Sequence, residues 1–181
     1  TRAALLGDMG VTSEPGPDGE PPELDPDDYA DLLFYNQTIA VPIARGFDEP
    51  DVIAGANLFE QVGCAGCHTP TQTAGEYFVD AIAGQTFHPF TDLLLHDMGG
   101  PLSDGRQVFE AAGSEWRTPP LWGLGRRVEV TGREAFLHDG RARTITEAIL
   151  WHEGEGATSR AEFMNLSAGL RDQLLAFLNA L

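Results

Sequence analysis

Positive charge is scarce in this chain. Lysine and arginine together number 11, against 28 aspartates and glutamates, giving a net charge of −17 and a pI near 4.4. A surface of that sign repels nucleic acid and anionic lipid, which excludes both as partners. It favours a basic or cationic partner; solubility alone, or a salt-adapted source, would also account for it. Long apolar runs are missing too, so no segment is fit to cross a membrane. No secretory leader stands at the amino end and the first residue is Thr1, from which we expect a processed or partial chain. Internal repeats are absent. Cysteine is limited to two residues, so no second pair exists to complete a four-cysteine zinc site. Glycine and proline are plentiful, at 21 and 12, and point to many loops. With 181 residues, 42% of them hydrophobic, the chain can form one domain with a core, or a small domain plus extensions.

Both cysteines fall within Cys64-Ala65-Gly66-Cys67-His68. C-x-x-C-H is the attachment signature of a c-type haem. Two thiols three residues apart reach the two vinyl groups of one porphyrin, and the next histidine is held under the iron as proximal ligand. The competing reading is a redox or zinc pair with a chance histidine. Zinc would need two further ligands, and a thioredoxin-like dithiol would want a βαβ setting that the pattern does not offer. The expected cofactor is one haem c. With both thiols consumed by it, the cysteines carry no separate signal about redox compartment.

The pattern predicts a mainly α protein. Residues 1–45 read as an N-terminal extension of loop and one helix, and 46–181 as the haem domain. Ser13 to Pro22 is too rich in proline and glycine for regular structure. Asp25, Asp27 and Asp28 suit either the start of a helix over 26–40 or, less simply, a calcium ion. Tyr29, Leu32, Leu33 and Ile39 are that helix's candidate buried positions, and Pro42 ends it. A second helix is expected over 51–63, capped by Asp51, with Gly55 and Phe59 on one face. A third is expected over 167–181, with Leu170, Leu174, Phe177, Leu178 and Leu181 as an apolar stripe. This pairing resembles the cytochrome c fold, which implies that Gly55 and Phe59 meet Leu174 and Phe177. The hundred or so residues between form a long, loop-rich insertion. Within it, Thr144 and Glu147 make a capping box for a short helix carrying Trp151 and His152, stopped by Gly154.

An electron-transfer haem takes a sixth ligand, usually His or Met. The candidates are His88, His96, Met98, His138 and His152, followed by Met9 and Met164, and spacing does not choose among them. Arg117, Arg141 and Arg143 suit either haem propionates or surface ion pairs. Trp116, Trp122 and Trp151 suit packing around the haem. His138 and His96 read as polar contacts rather than ligands.

Three stretches, Glu115 to Leu121, Phe136 to Gly140 and Thr144 to His152, resemble the C-terminal haem domain of the bacterial di-haem cytochrome c peroxidase superfamily. There a "TP-x-L" segment precedes an "HDG" turn, and a helix with a "T-x-x-E-A/V" start carries the distal ligand about one turn later. That ligand is Met in the peroxidases and Tyr in the methylamine dehydrogenase maturation enzyme; His152 occupies the matching position. With Leu6 to Gly10 and Asp92 to Gly99 added, nearly the whole chain resembles the di-haem oxidoreductase family of that superfamily. The resemblance implies His68 and His152 as axial ligands, with Met98 as the alternative and an open coordination site as a third outcome. Cofactor contacts are then expected from Cys64, Cys67, His68, His152, Arg117 and Trp116.

Members of the family normally carry two haem motifs, and in the peroxidases the peroxide-binding haem is the N-terminal one. This sequence has one motif, and the resemblance implies that the N-terminal half is not part of it. The first expectation is therefore an electron-transfer cytochrome of peroxidase-like ancestry, working as a subunit or domain beside another haem protein or redox subunit. The second is an enzyme, with this chain as the C-terminal half of a di-haem peroxidase-like oxidoreductase. The third is a haem-based gas or redox sensor. Covalent haem attachment takes place outside the bacterial cytoplasm, so a periplasmic or other extracytoplasmic location is expected, as is a hetero-oligomer.

Overall fold

The computed structural model describes residues 5, 7, 9–11 and 21–181. Leu6, Asp8 and Ser13 to Glu20, on which parts of the sequence reading fall, lie outside the described residues. The chain divides into two compact units, Thr1–Ala40 and Val41–Leu181.

In the first unit, helix α1 runs over Pro26–Thr38. Asp25 is its N-cap, the carboxylate accepting from the Asp27 N–H at 2.8 Å, with Pro26 opening the first turn. This use accounts for the acidic start, and Asp25, Asp27 and Asp28 do not converge with other metal donors among the described residues. The Thr38 hydroxyl donates back to the Phe34 carbonyl at 2.8 Å and the helix stops there, before the expected residue 40. Of the expected buried face, Tyr29, Leu32 and Leu33 are half-buried, and Ile39 is well exposed.

The second unit is built on two crossed helices, α2 (Pro50–Gln61) and the last helix of the chain, which runs over Ala168–Ala180. Asp51 does not cap α2. Pro50 takes the first helical position, so Glu49 becomes the N-cap and makes no side-chain bond there. Asp51 instead accepts from Gln173 Nε2 at 3.0 Å, tying the two helices together. Val52, Gly55, Leu58 and Phe59 face Leu174, Phe177 and Leu178, all buried. The crossing is close because Gly55 lacks a side chain: a Cβ there would lie 2.0 Å from the Gln173 carbonyl oxygen. Phe59 then meets Phe177 edge-on at 5.4 Å, and Phe90 joins both rings at 5.9 and 5.7 Å. Each such aromatic or leucine contributes about 1.5–3 kcal/mol by leaving water. Leu170 departs from the expected stripe and stays exposed, since it sits in the first turn beside the Ser167 cap.

The insertion holds more regular structure than its composition suggests. Strands β1 (Gln72–Thr73) and β2 (Thr86–Phe87) pair antiparallel, as do β3 (Leu95–Asp97) and β4 (Glu115–Arg117), with His96 opposite Trp116. Helices α3 (Arg127–Thr131), α4 (Ile145–Leu150) and α5 (Ala157–Asn165) follow, and Ala168–Ala180 is α6. Among the described residues helix predominates over two minimal sheets, which makes the protein mainly α.

Candidate functional site

The C-x-x-C-H segment begins where α2 ends. Gly63 takes a left-handed conformation at φ 85°, which turns the chain into a single 3₁₀ turn over Cys64–Gly66. The His68 N–H closes this turn on the Cys64 carbonyl at 3.0 Å. Both cysteines are free thiols. Burial pushes the Cys64 thiol up to about 11; burial, and then the charges of Asp92 and Glu155, raise that of Cys67. His68 packs against Phe59 and donates from Nδ1 to the Phe90 carbonyl at 3.1 Å. Burial pushes its pKa down to about 4, so the ring is neutral at ordinary pH. With Nδ1 carrying the proton, the Nε2 lone pair is the free one, and among the described residues it has no partner. Phe90 is held in turn by its neighbour Thr91, whose N–H donates to the Thr69 carbonyl at 3.0 Å and whose buried hydroxyl donates to Thr118 O at 2.7 Å.

Helix α4 delivers His152. The Thr144 hydroxyl accepts from the Glu147 N–H at 3.0 Å, and the Glu147 carboxylate reaches back to the Arg143 N–H at 2.8 Å, one residue beyond the expected Thr144. The helix stops at Leu150, so Trp151 and His152 follow it rather than ride on it, and the end comes before Gly154. The His152 N–H donates to Ile149 O at 3.1 Å, and its ring Nδ1 donates to Ala148 O at 2.8 Å. Burial lowers its pKa, and again Nε2 is left without a described partner. His152 lies close enough to His68 that a charge on one disfavours a charge on the other.

Met98 belongs to the same place. A Cβ on Gly156 would lie 3.1 Å from His152 Cβ, 3.3 Å from His152 Cδ2 and 3.4 Å from Met98 Cε. Both proposed sixth ligands therefore rest on one glycine. The other candidates are engaged elsewhere. His88 bonds the Thr71 hydroxyl at 3.1 Å, and His138 stacks on Trp116 at 3.6 Å between centroids and 11° between planes. Met9 and Met164 are exposed.

His96 lies between two carboxylates. Its Nε2 is 2.8 Å from Asp92 and its Nδ1 2.8 Å from Glu155. Its pKa is raised by Glu155 first and then by Asp92. Asp92, His96 and the Cys67 sulfur also converge within 4.8 Å of one another.

Trp116 donates from Nε1 to Leu102 O at 3.0 Å, which fixes its ring. Arg117 is exposed, with no side-chain partner among the described residues. Arg141 is committed to Asp139 at 2.6 Å and lies 5.0 Å above the Trp151 ring, while Arg143 pairs loosely with Glu147 at 3.7 Å. Trp122 packs against Phe87. Sequence reasoning missed Phe90, Asp92, Glu155 and Gly156. The four-residue step from Asp92 to His96 was an available signal; nothing local connects His96 to Glu155.

A family model described as "Di-haem oxidoreductase, putative peroxidase" matches residues 3–181. The chain belongs to this family. No curated protein and no solved structure matches it. The di-haem oxidoreductase family implies haem binding, and the residues fit such a group: two free thiols on one turn, and a neutral imidazole with its Nε2 unclaimed. The family name speaks of two haems, and this sequence holds one C-x-x-C-H.

Proposed function

We propose that this di-haem oxidoreductase family chain is a cytochrome c-like electron-transfer domain that carries one haem c. Cys64 and Cys67 would form the thioethers, with His68 and His152 as axial ligands. A haem held there supplies one-electron exchange between ferric and ferrous iron. The observation that carries the reading is the matched preparation of the two imidazoles. Each donates from Nδ1 to a main-chain carbonyl, Phe90 O or Ala148 O, and each keeps Nε2 for a metal. Closed coordination leaves no vacancy for substrate and suits outer-sphere electron transfer. Arg117 is available to a propionate, and Trp116 is rigidly held for packing. The partner would be another haem protein or redox subunit, and the location extracytoplasmic, where such haems are attached.

Electron paramagnetic resonance and near-infrared spectra of the oxidised protein test this. Low-spin bis-imidazole signals that vanish in His152→Ala support it. A thioether charge-transfer band reassigns the sixth ligand to Met98, and a high-spin signal that responds to peroxide refutes closed coordination. The family match along the chain also favours a second reading, the C-terminal half of a di-haem peroxidase-like oxidoreductase. A second C-x-x-C-H upstream in the gene, with peroxide turnover by the joined protein, would establish that reading.

A further inference from the structure

Two segments meet at the candidate haem site, one following Cys67 and one following His152. A single chain of hydrogen bonds joins them. The Asp92 N–H donates to the Cys67 carbonyl at 2.9 Å. The Asp92 carboxylate bonds His96 Nε2, and His96 Nδ1 bonds Glu155, each at 2.8 Å. The second Glu155 oxygen accepts from the Asp97 N–H at 2.9 Å, immediately before Met98. Because ionised carboxylates only accept, both ring nitrogens of His96 donate, and the bridge is carboxylate, imidazolium, carboxylate.

The backbone around Glu155 is shaped for this contact. Gly154, at φ 53°, lies so flat on β3 that a Cβ would fall 2.1 Å from Asp97 O. Two residues further on, Gly156 is the surface on which His152 and Met98 rest. The two ends of the bridge differ in exposure. The side chains of Asp92 and His96 are only 14% and 15% exposed, whereas Glu155 is 55% exposed. One end is a shielded anchor, and the other is a latch that water can reach.

We propose that Asp92, His96 and Glu155 form a clasp that holds the turn after His152 shut against β3, and so keeps the iron six-coordinate. These are positioning residues: they act through the placement of His152 and Met98 rather than by touching the iron. The proposal rests on the reading of His152 as the axial ligand.

The test compares haem-loaded wild-type protein with Glu155→Gln, Glu155→Ala and His96→Gln. Glu129→Gln serves as a control, because Glu129 pairs with Arg126 and lies outside the clasp. The readouts are ferric spin state, carbon monoxide binding to the ferrous form, and hydrogen exchange at the Asp97 amide. The expected result is low-spin wild type and control. The clasp variants should show a high-spin fraction, faster Asp97 exchange and a carbon-monoxide-reactive population about tenfold larger, the scale of one lost hydrogen bond to a charged group. Glu155→Gln keeps an acceptor for the Asp97 N–H and should open less than Glu155→Ala, which provides a folded variant if the alanine form does not load haem. Low-spin clasp variants with wild-type carbon monoxide reactivity overturn the clasp alone. Equal opening of Glu129→Gln overturns it as well, by tracing the effect to general charge. A wild-type protein that is itself high-spin overturns the axial role of His152, and the clasp with it.

Discussion

A methyl group on Gly55 would have to share space with the Gln173 carbonyl oxygen at 2.0 Å and with Phe177 Cβ at 2.7 Å. One of these obstacles is backbone, which cannot rotate away. Gly55→Ala should therefore lower unfolding stability by about 1–3 kcal/mol, the range for overpacking a tight contact, as read from urea unfolding of the haem-loaded protein. At this scale the sequence was informative where chemistry is carried by residue type. Gly55, Phe59, Leu174 and Phe177 were legible as one contact, and Cys64, Cys67 and His68 as neighbours on one turn. Phe90 was not legible, because what it offers His68 is its carbonyl, which every residue has. Leu170 and Ile39 misled, since apolar character does not say whether a position at a helix end is covered.

Helix α4 is only six residues long and depends on its ends. Thr144→Ala removes the side-chain acceptor for the Glu147 N–H and should cost about 1 kcal/mol of stability in chemical denaturation. At the far side of the same region, Glu155 has its pKa lowered from 4.5, by His96 first and then by the Asp97 N–H. A carboxylate with a depressed folded pKa stabilises the fold above its unfolded pKa and loses that contribution as pH falls through the folded value. The stability difference between wild type and Glu155→Gln should thus be largest above pH 4.5 and shrink below it, as measured by urea midpoints across a pH series. Elements with strong local signals were readable in advance: α2, α6 and the capped start of α4. The cap of α2 shifted to Glu49 because Pro50 occupies the first helical position. The two sheets, with strands of two or three residues, are too short for any periodicity to register. Helix α5 escaped notice because a single buried residue, Phe163, gives it no stripe.

For the whole molecule, charge is distributed unevenly along the sequence. Between Ala3 and Gly105 the only lysine or arginine is Arg45, while nine arginines follow Gly105, and lysine is absent throughout. With a net charge of −17, the haem-loaded protein should be reduced faster by a cationic metal complex than by an anionic one of equal driving force. Stopped-flow rates should show that gap closing as ionic strength rises past about 0.1 M. Equal rates at low salt would mean that the electron enters through a region where the local field is neutral. The two buried imidazoles carry a different consequence. Both lean on main-chain oxygens, Phe90 O and Ala148 O, and no point mutation deletes a carbonyl. Side chains around the site, those of the proposed clasp excepted, can therefore drift over evolutionary time, or be varied in the laboratory, without erasing either anchor. The orientation of the two rings is in this respect tolerant of sequence change.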